Sequence, residues 1–416
     1  MADSTLAVDF GTSNTAAAVL DAGKPRRLMI EPDAETLPTA VFFPSDGGAM
    51  RIGSAASDAL ISGEDGRYMR ALKSVLGTEL FHEQRLITGR RRTLSQIVTE
   101  FLIALKTRAE AQAGRSFPRV LSGRPVHFHT ADPERDAQAE ADLRACYKAA
   151  GFNDIRFLFE PEAAALASHG LGRAGQIGLI VDIGGGTSDF TVFRAEGGSP
   201  HILASHGIRL GGTDFDHAVS MTHAMPLLGH GGQLRRSLGK GLLPVPNAIY
   251  SDLATWAKIP FVYTPETRRA VADMLRHAVE PKGLARLSQL IERQLGHELA
   301  FAVEAGKISA NSGAAATLID MGFIEPGISA PISPGSLNTA LTGFRARLQE
   351  AMFQTLWMAR TQPAEVASVI LVGGSSLMGM ISDEARAVCP NAELHRSEAF
   401  TAVVDGLALA TAQVAE

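Results

Sequence analysis

Residues 181–190 read VDIGGGTSDF, a stretch that joins the end of an apolar strand to a turn with almost no side chains. The segment Ile177 to Ile183 is predicted as a buried strand, because it is a short apolar run bounded by a glycine turn. Three consecutive glycines, Gly184, Gly185 and Gly186, let the backbone bring several N–H groups against one anion. The stretch therefore predicts a site for the phosphates of a nucleotide.

Polar side chains on both sides of this turn suit the same ligand. Asp182 lies at the end of the strand, where it can hold Mg²⁺ through the water shell of the ion. Thr187 and Asp189 line the exit of the turn.

A second stretch repeats this arrangement near the N-terminus. Residues 6–15 read LAVDFGTSNT, and another strand is predicted through residues 18–20. Asp9 takes the place of Asp182, and the turn that follows consists of Gly11, Thr12, Ser13 and Asn14. One glycine turn often only reverses the chain, but two copies indicate a duplication. Facing each other, the two turns could hold one Mg–nucleotide from both sides.

Size and composition indicate a globular protein of two to four lobes. The chain has 416 residues, of which 45% are hydrophobic and 20% charged. Its net charge of −5 argues against bulk nucleic-acid binding, and the short basic run 90–92 is predicted as an exposed loop. No apolar run reaches membrane-spanning length, and the N-terminus lacks a basic signal region, so we expect a cytoplasmic protein without a membrane partner.

Alternating strands and helices predict an α/β fold with mixed sheets. Apolar periodicity predicts helices at 93–112, 133–150, 251–310, 336–359 and 401–415. Strands are predicted at 27–30, 39–43, 119–128, 155–159, 189–193, 201–208 and 368–372. The Gly- and Pro-rich segment 229–246 is predicted to loop outward.

Five motifs occur in an order that resembles the ATPase domain of the seventy-kilodalton heat-shock chaperones. They are residues 9–12 (DFGT), 160–164 (EPEAA), 182–187 (DIGGGT), 211–216 (GGTDFD) and 371–375 (LVGGS). Together with 72–77 (LKSVLG) and 123–128 (GRPVHF), they look closest to the short YegD-like chaperones. This resemblance implies the actin-like ATPase fold, in which two duplicated α/β lobes with added subdomains surround a central nucleotide cleft.

The resemblance also implies domain boundaries. The first lobe would span residues 1–174, with a core at 1–38 and 118–174 and an inserted subdomain at about 39–117. The second lobe would span 175–416, with a core at 175–228 and 312–416 and a mostly helical subdomain at about 229–311. No peptide-binding domain is expected in this chain.

Catalytic roles follow from the same resemblance. Lys73 would contact the γ-phosphate and the attacking water, and Glu160 would orient that water or act as a general base. Asp9 and Asp182 would hold Mg²⁺ through waters, and Thr187 would contact phosphate or the nucleophilic water. The predicted catalytic residues are thus Lys73, Glu160, Asp182 and Thr187.

A larger set would bind the nucleotide. The implied contacts are Gly11, Thr12, Ser13, Asn14, Gly184, Gly185, Gly186, Asp189, Gly211, Gly212, Thr213, Glu304, Lys307, Ile308, Gly373, Gly374 and Ser375. Glu304 and Lys307 match ribose-contacting positions, and residues 373–375 match the adenosine turn. Ile308 and Leu377 stand where the family has arginines, so apolar packing would replace guanidinium stacking on adenine. Thr213 stands where the family usually has an acid.

The function implied is that of a slow, chaperone-like ATPase. It would bind ATP and ADP with Mg²⁺ and couple lobe closure to a separate protein partner or client. Two alternatives share the two hairpins: a small-molecule kinase, and an actin-like polymerising or scaffold protein.

Overall fold

A computed structural model describes residues 5–167, 175–196, 200–237, 239–314, 317–396 and 401–414. The chain divides into two compact units, one formed by residues 1–212 with 345–416 and the other by residues 213–344. The lobe boundary predicted at residue 174 and the last residue of the C-terminal helix predicted at 401–415 lie outside the described residues.

The strands and helices are named here in chain order. The strands are β1 (Thr5–Phe10), β2 (Asn14–Asp21), β3 (Lys24–Arg27), β4 (Thr36–Pro38), β5 (Ala40–Pro44), β6 (Arg51–Ile52), β7 (Gly66–Arg70), β8 (Arg85–Ile87), β9 (Arg90–Arg92), β10 (Arg119–Arg124), β11 (Asp154–Phe159), β12 (Ile177–Ile183), β13 (Ser188–Arg194), β14 (His201–Ile208), β15 (Gln233–Arg235), β16 (Leu242–Pro244), β17 (Thr317–Asp320), β18 (Ser329–Ile332), β19 (Val366–Val372) and β20 (Glu393–Arg396). The helices are α1 (Ser54–Ile61), α2 (Glu79–His82), α3 (Leu94–Ala113), α4 (Pro133–Ala149), α5 (Glu160–Ala167), α6 (Gly212–Val219), α7 (Ala248–Leu253), α8 (Pro265–His277), α9 (Pro281–Glu292), α10 (Gly296–Asn311), α11 (Pro334–Ala340), α12 (Thr342–Met358), α13 (Gly379–Val388) and α14 (Ala402–Val414).

Besides the three-stranded sheet β6-β5-β7 and the β8–β9 pair, the described residues of the first unit form two large sheets of the same design. One has the strand order β11-β10-β1-β2-β3, with β4 also paired to β2, and the other has the order β14-β13-β12-β19-β20. In each sheet an antiparallel meander of three consecutive strands is extended by two parallel strands beside its first strand. This repeat confirms the duplicated, actin-like α/β fold predicted from the two glycine turns.

Helix α3 follows its predicted period closely. Its apolar face is buried at Leu94, Ile97, Val98, Phe101, Leu102 and Leu105. A capping box between Thr93 and Gln96 begins the helix, because each side chain accepts a hydrogen bond from the backbone N–H of the other residue. Gly114, at φ 67, ends it in the left-handed conformation that glycine adopts without strain.

Helices α5 and α14 pack together through small residues. A Cβ added to Gly406 would collide with the carbonyl oxygen of Ala163, so only glycine permits this approach. Helix α14 also packs on β1, β2 and β3, where Asp405 forms a bidentate ion pair with Arg27 at 2.9 and 2.6 Å. The C-terminal helix is therefore part of the core around the first sheet.

The second unit is mainly helical and has two hairpins. Strands β15 and β16 pair with each other, as do β17 and β18. Leu284, Leu287, Leu290 and Ile291 bury the predicted apolar face of α9. Nowhere in the described ranges does a helix combine the length and apolar character needed to cross a membrane.

Several predicted elements differ from the structure. The strand expected at 27–30 is displaced to β3, because Ala22 (φ 49) and Gly23 (φ 76) turn the chain back directly after β2. The basic run 90–92 is strand β9 rather than a loop, since pairing with β8 satisfies its backbone. The segment 229–246 contains the β15–β16 hairpin, and the helix expected at 336–359 is divided between α11 and α12.

Candidate functional site

The two glycine turns have the same local geometry. In the first, the Gly11 N–H donates to the Asn14 carbonyl at 3.1 Å, and in the second the Gly184 N–H donates to the Thr187 carbonyl at 2.9 Å. Each turn follows the strand that carries an aspartate, either Asp9 on β1 or Asp182 on β12. The duplication predicted from sequence therefore extends to the hydrogen bond that closes each turn.

The turns also lie against each other. A Cβ built on Gly185 would stand 2.6 Å from Ser13 Oγ and 3.1 Å from Thr12 Cβ, and one built on Gly186 would stand 3.2 Å from Thr12 Oγ1. A side chain at either position would require Thr12 or Ser13 to shift. The structure thus brings together the two predicted phosphate-binding turns at one place in the first unit.

Two further glycine segments border the second turn. The Gly212 N–H donates to the Gly184 carbonyl at 3.0 Å, and a Cβ on Gly211 would come within 2.6 Å of Gly186 N. After β19, Gly373 adopts φ 82, and a Cβ there would lie 2.5 Å from Asp182 Oδ1. The predicted adenosine turn continues through Gly374 and Ser375 in a 3₁₀ turn. Glycine at these positions therefore lets the segments pack closely around the second turn.

Three aspartates surround these turns. Asp182 and Asp189 stand directly opposite each other on β12 and β13, and like charges in that position repel. Burial, followed by the nearby Glu160 and Asp189 carboxylates, raises the pKa of Asp182 well above its usual value. Burial and Glu160 likewise raise the pKa of Asp189 to about 8, although its carboxylate accepts a 2.7 Å hydrogen bond from the Val126 N–H.

Asp9 belongs to the same electrostatic cluster. Burial and the Glu160 carboxylate raise the pKa of Asp9 to about 7, while the positive charge of Lys73 acts to lower it. Asp9 is half-buried and keeps partial contact with solvent. The charge of Asp9 also contributes to the raised pKa of Asp182. The two aspartates that the sequence paired as magnesium ligands are therefore electrostatic neighbours.

Lys73 supplies a buried positive charge to this cluster. It lies in the 3₁₀ turn Leu72–Val75, which follows Ala71 at φ 60, and its Nζ donates to Glu160 Oε1 at 2.5 Å. Only 6% of the Lys73 side chain and 10% of the Glu160 side chain are exposed. Burial alone would lower the pKa of Lys73, but the Glu160 and Asp9 carboxylates outweigh it and the net pKa is raised. The ammonium is therefore charged at neutral pH.

The residues present fit a hydrated divalent cation with a polyphosphate. Four carboxylates face one ammonium, and the pKa values of the three aspartates are raised by burial and then by their acidic neighbours, which a bound cation would offset. Backbone N–H groups in glycine turns suit phosphate oxygens. Within the ranges that the structure describes, no three His, Cys, Asp or Glu side chains converge closely enough to hold an ion directly. The prediction that Asp9 and Asp182 hold Mg²⁺ through waters therefore remains a proposal.

The four predicted nucleotide contacts not yet described, Thr213, Glu304, Lys307 and Ile308, belong to the second unit. Leu377, which stands where the family has an arginine, belongs to the first unit and is 46% exposed. Thr213 lies in α6, and Glu304, Lys307 and Ile308 lie in α10. The Lys307 ammonium is buried and pairs with Asp216 at 2.6 Å, while the Ile308 side chain is 58% exposed. The base-contacting and ribose-contacting roles of these residues stay predictions.

Sequence reasoning missed the partners of two buried charges. Asp216 accepts hydrogen bonds from Lys307 and from Trp256 Nε1 (3.1 Å), whereas sequence analysis identified it only as the last residue of a motif. Burial raises the pKa of Asp216 while Lys307 opposes that shift. The Val126 N–H that holds Asp189 was also missed, because a backbone donor has no sequence signal.

Comparison with known proteins adds independent information. A family model described as Hsp70 protein matches residues 5–227. Chaperone protein DnaK of Endomicrobium trichonymphae is 28% identical over 305 residues, which cover 66% of this chain and 46% of the relative. Chaperone protein DnaK of Methanothermobacter thermautotrophicus is 33% identical over 224 residues, which cover 51% of this chain and 35% of the relative.

The matched regions therefore span less than half the length of these two curated relatives. The family model, by contrast, covers more than half of this chain, including both glycine turns, Lys73 and Glu160. Because of that coverage, the protein belongs to the Hsp70 family.

Proposed function

We propose that this protein binds ATP and ADP with Mg²⁺ at the glycine-turn site and hydrolyses ATP slowly. One observation carries the proposal: a buried lysine, Lys73, faces Asp9, Glu160, Asp182 and Asp189 where the two glycine turns meet. The raised carboxylate pKa values support cation binding, and membership of the Hsp70 family supports ATP as the nucleotide.

Each residue contributes a distinct function in this proposal. Lys73 places its ammonium near the phosphate that is transferred, because phosphoryl transfer is accelerated chiefly by positioned positive charge. Glu160, held by Lys73, orients the attacking water or accepts its proton. The hydroxyls of Thr12, Ser13 and Thr187 contact phosphate oxygens or that water. When bound, Mg²⁺ supplies charge neutralisation on the phosphate oxygens, held through waters by Asp9 and Asp182.

We further propose that nucleotide binding closes the two lobes, residues 1–174 and 175–416, and that a separate protein partner or client responds to the closure. The duplicated sheets support this proposal, because each lobe has its own sheet behind its own glycine turn.

The central test compares wild-type protein with Lys73→Ala. We expect the variant to retain nucleotide binding and to lose about 100-fold in single-turnover hydrolysis, which is the size of effect seen when one preorganised charge is removed. Lys258→Ala, which removes an exposed lysine paired with Asp252, is the matched control and should leave hydrolysis unchanged. Unchanged hydrolysis in Lys73→Ala would remove this lysine from the mechanism.

The same preparations distinguish the two alternative functions. A small-molecule kinase would consume ATP only when an acceptor such as a sugar or acetate is added. An actin-like scaffold would sediment in a nucleotide-dependent manner. Slow hydrolysis without an acceptor and without sedimentation is the result expected from the proposed function.

A further inference from the structure

A small cavity in the first unit lies beside the proposed phosphate site. Its volume is about 20 Å³, enough for about one water molecule. Three of its lining residues, Thr12, Lys73 and Thr187, belong to the phosphate-facing set. Phe128, His129 and Arg209 also line it. The cavity therefore has one wall in the catalytic cluster and another formed by residues for which the proposed mechanism has no role.

Arg209 differs from the other five residues, because it is exposed whereas they are buried or half-buried. Its backbone directly follows β14, and its N–H donates to Thr130 Oγ1 at 2.8 Å. Its guanidinium extends to the turn that carries Lys73, where Nη2 donates to the Ser74 carbonyl at 3.3 Å. The side chain thus closes the exposed side of the cavity through one long hydrogen bond.

The other outer residues form a fixed wall. Phe128 and His129 are buried, and the His129 Nε2–H donates to the Leu76 carbonyl at 2.7 Å. Burial lowers the pKa of His129, and the charge of Arg209 adds to this shift, so the imidazole is neutral at physiological pH. Positive charge at the outer side of the cavity therefore comes from the guanidinium of Arg209.

We propose that the inorganic phosphate produced by ATP hydrolysis leaves through this cavity, and that Arg209 both binds it there and closes the route. This inference rests on the proposed ATPase function. A phosphate ion next to Lys73 and Thr187 would border the cavity that Arg209 also lines, and Arg209 offers a planar fork of donors suited to phosphate.

The size of the cavity implies that Arg209 must move. A space for one water molecule does not let a phosphate ion pass, and the buried walls cannot yield without disturbing the core. The exposed guanidinium can swing out at the loss of a single 3.3 Å hydrogen bond, which its contact with phosphate replaces. Arg209 is therefore a phosphate-binding and gating residue in this proposal.

Arg209→Gln tests both functions, because it removes the charge and keeps a polar side chain. Arg209→Lys retains the charge. Arg347→Gln is the matched control, since Arg347 donates to the Arg209 carbonyl at 3.4 Å and is not among the residues that line the cavity. Both positions are exposed, so the three variants should fold.

Two measurements on ADP-loaded protein avoid any dependence on hydrolysis. The first titrates inorganic phosphate and follows binding by thermal shift. The second preloads the protein with ADP and phosphate, mixes it with a fluorescent phosphate-binding sensor and records the rate of phosphate dissociation. Hydrolysis of bound ATP is quantified separately by acid quench.

For Arg209→Gln we expect about fivefold weaker phosphate binding and about fivefold faster dissociation, the effect of losing one exposed charge contact. Arg209→Lys, which keeps the charge but not the planar fork, should lie between wild type and Arg209→Gln, and Arg347→Gln should resemble wild type. Equal affinity and equal dissociation in wild type and Arg209→Gln would overturn the proposal, as would slower dissociation in the variant. If the wild-type protein binds phosphate but does not hydrolyse bound ATP, that result would instead contradict the proposed function.

Discussion

Replacing Lys73 with methionine tests the charge balance of the site in the absence of any nucleotide. Methionine keeps the length and apolar stem of lysine but removes the cation that faces Asp9, Glu160, Asp182 and Asp189. The carboxylates then lack a counter-charge in a buried environment, and the folded state can relieve their repulsion only by taking up protons. Stability of the variant should therefore depend on pH more steeply than that of wild type.

The sign of this dependence follows from the raised pKa values. In wild type, Asp9 at about 7 and Asp189 at about 8 titrate above their unfolded values, so their contribution favours folding at low pH and is lost as the pH rises through 7 to 8. Lys73, with its pKa raised, stays charged across this range. Removing it raises the carboxylate pKa values further, which deepens the same loss at alkaline pH.

The magnitude can be worked from the burial of the pair. Breaking a buried ion pair by removing one partner costs about 3–5 kcal/mol, and Lys73 is only 6% exposed. At about pH 8.5 we therefore expect a loss of about 4 kcal/mol. Compared with wild type, the folded variant should bind about 0.6 more proton across the roughly 2.5 pH units from about pH 8.5 to about pH 6. At about 1.36 kcal/mol per proton and pH unit, this uptake reduces the loss of unfolding free energy by about 2 kcal/mol at about pH 6.

The assay is urea unfolding of nucleotide-free protein in EDTA at both pH values, with the slope of the transition checked for constancy. Glu160→Gln in the Lys73→Met background removes the carboxylate that lost its partner and should recover part of the stability and flatten the pH dependence. An identical loss at both pH values, or no recovery in the double variant, would refute the electrostatic account of this site.

Three further predictions concern the metal, the helix crossing and the C-terminal helix. Asp182→Asn should weaken ATP binding in Mg²⁺ more than in EDTA, as measured by calorimetry, and equal losses would argue against a metal function. Gly406→Ala should lower the free energy of unfolding by about 2 kcal/mol, because the added Cβ meets the Ala163 carbonyl. The control Gly343→Ala should be neutral or slightly stabilising, because its Cβ meets nothing within 4 Å. Similar free energies of unfolding in the two variants would contradict the close approach of α5 and α14. Asp405→Asn should cost about 1 kcal/mol by weakening the pair with Arg27, an effect that should shrink in high salt, and a salt-independent loss would point to packing instead.

Local features of the sequence were sufficient to predict the two turns and the regular helices. A glycine turn after an aspartate at a strand end can be recognised within ten residues, and the faces of α3 and α9 follow from apolar spacing alone. The duplication of the two sheets also follows from the repeated turn, because each turn fixes the first two strands of its meander.

Features that depend on distant partners were not predictable in this way. Lys307 and Asp216 are 91 residues apart, and nothing near either residue in the chain indicates the other. The β15–β16 hairpin was hidden by the glycines and prolines of 229–246, since pairing rather than composition decides whether such a segment becomes strands. The pKa shifts of the aspartates required knowledge of burial, which sequence spacing does not supply.

Asp182 and Asp189, opposed across β12 and β13, retain protons in a pH range where ordinary aspartates have lost theirs. A divalent cation held through waters beside Asp182 would favour the charged carboxylates and release those protons, so its apparent affinity should rise with pH. The heat recorded on binding will then include the ionisation enthalpy of whatever buffer accepts the protons. Titrations in two buffers of different ionisation heat would thus count the protons released, and so the carboxylate charges that form only when the cation binds.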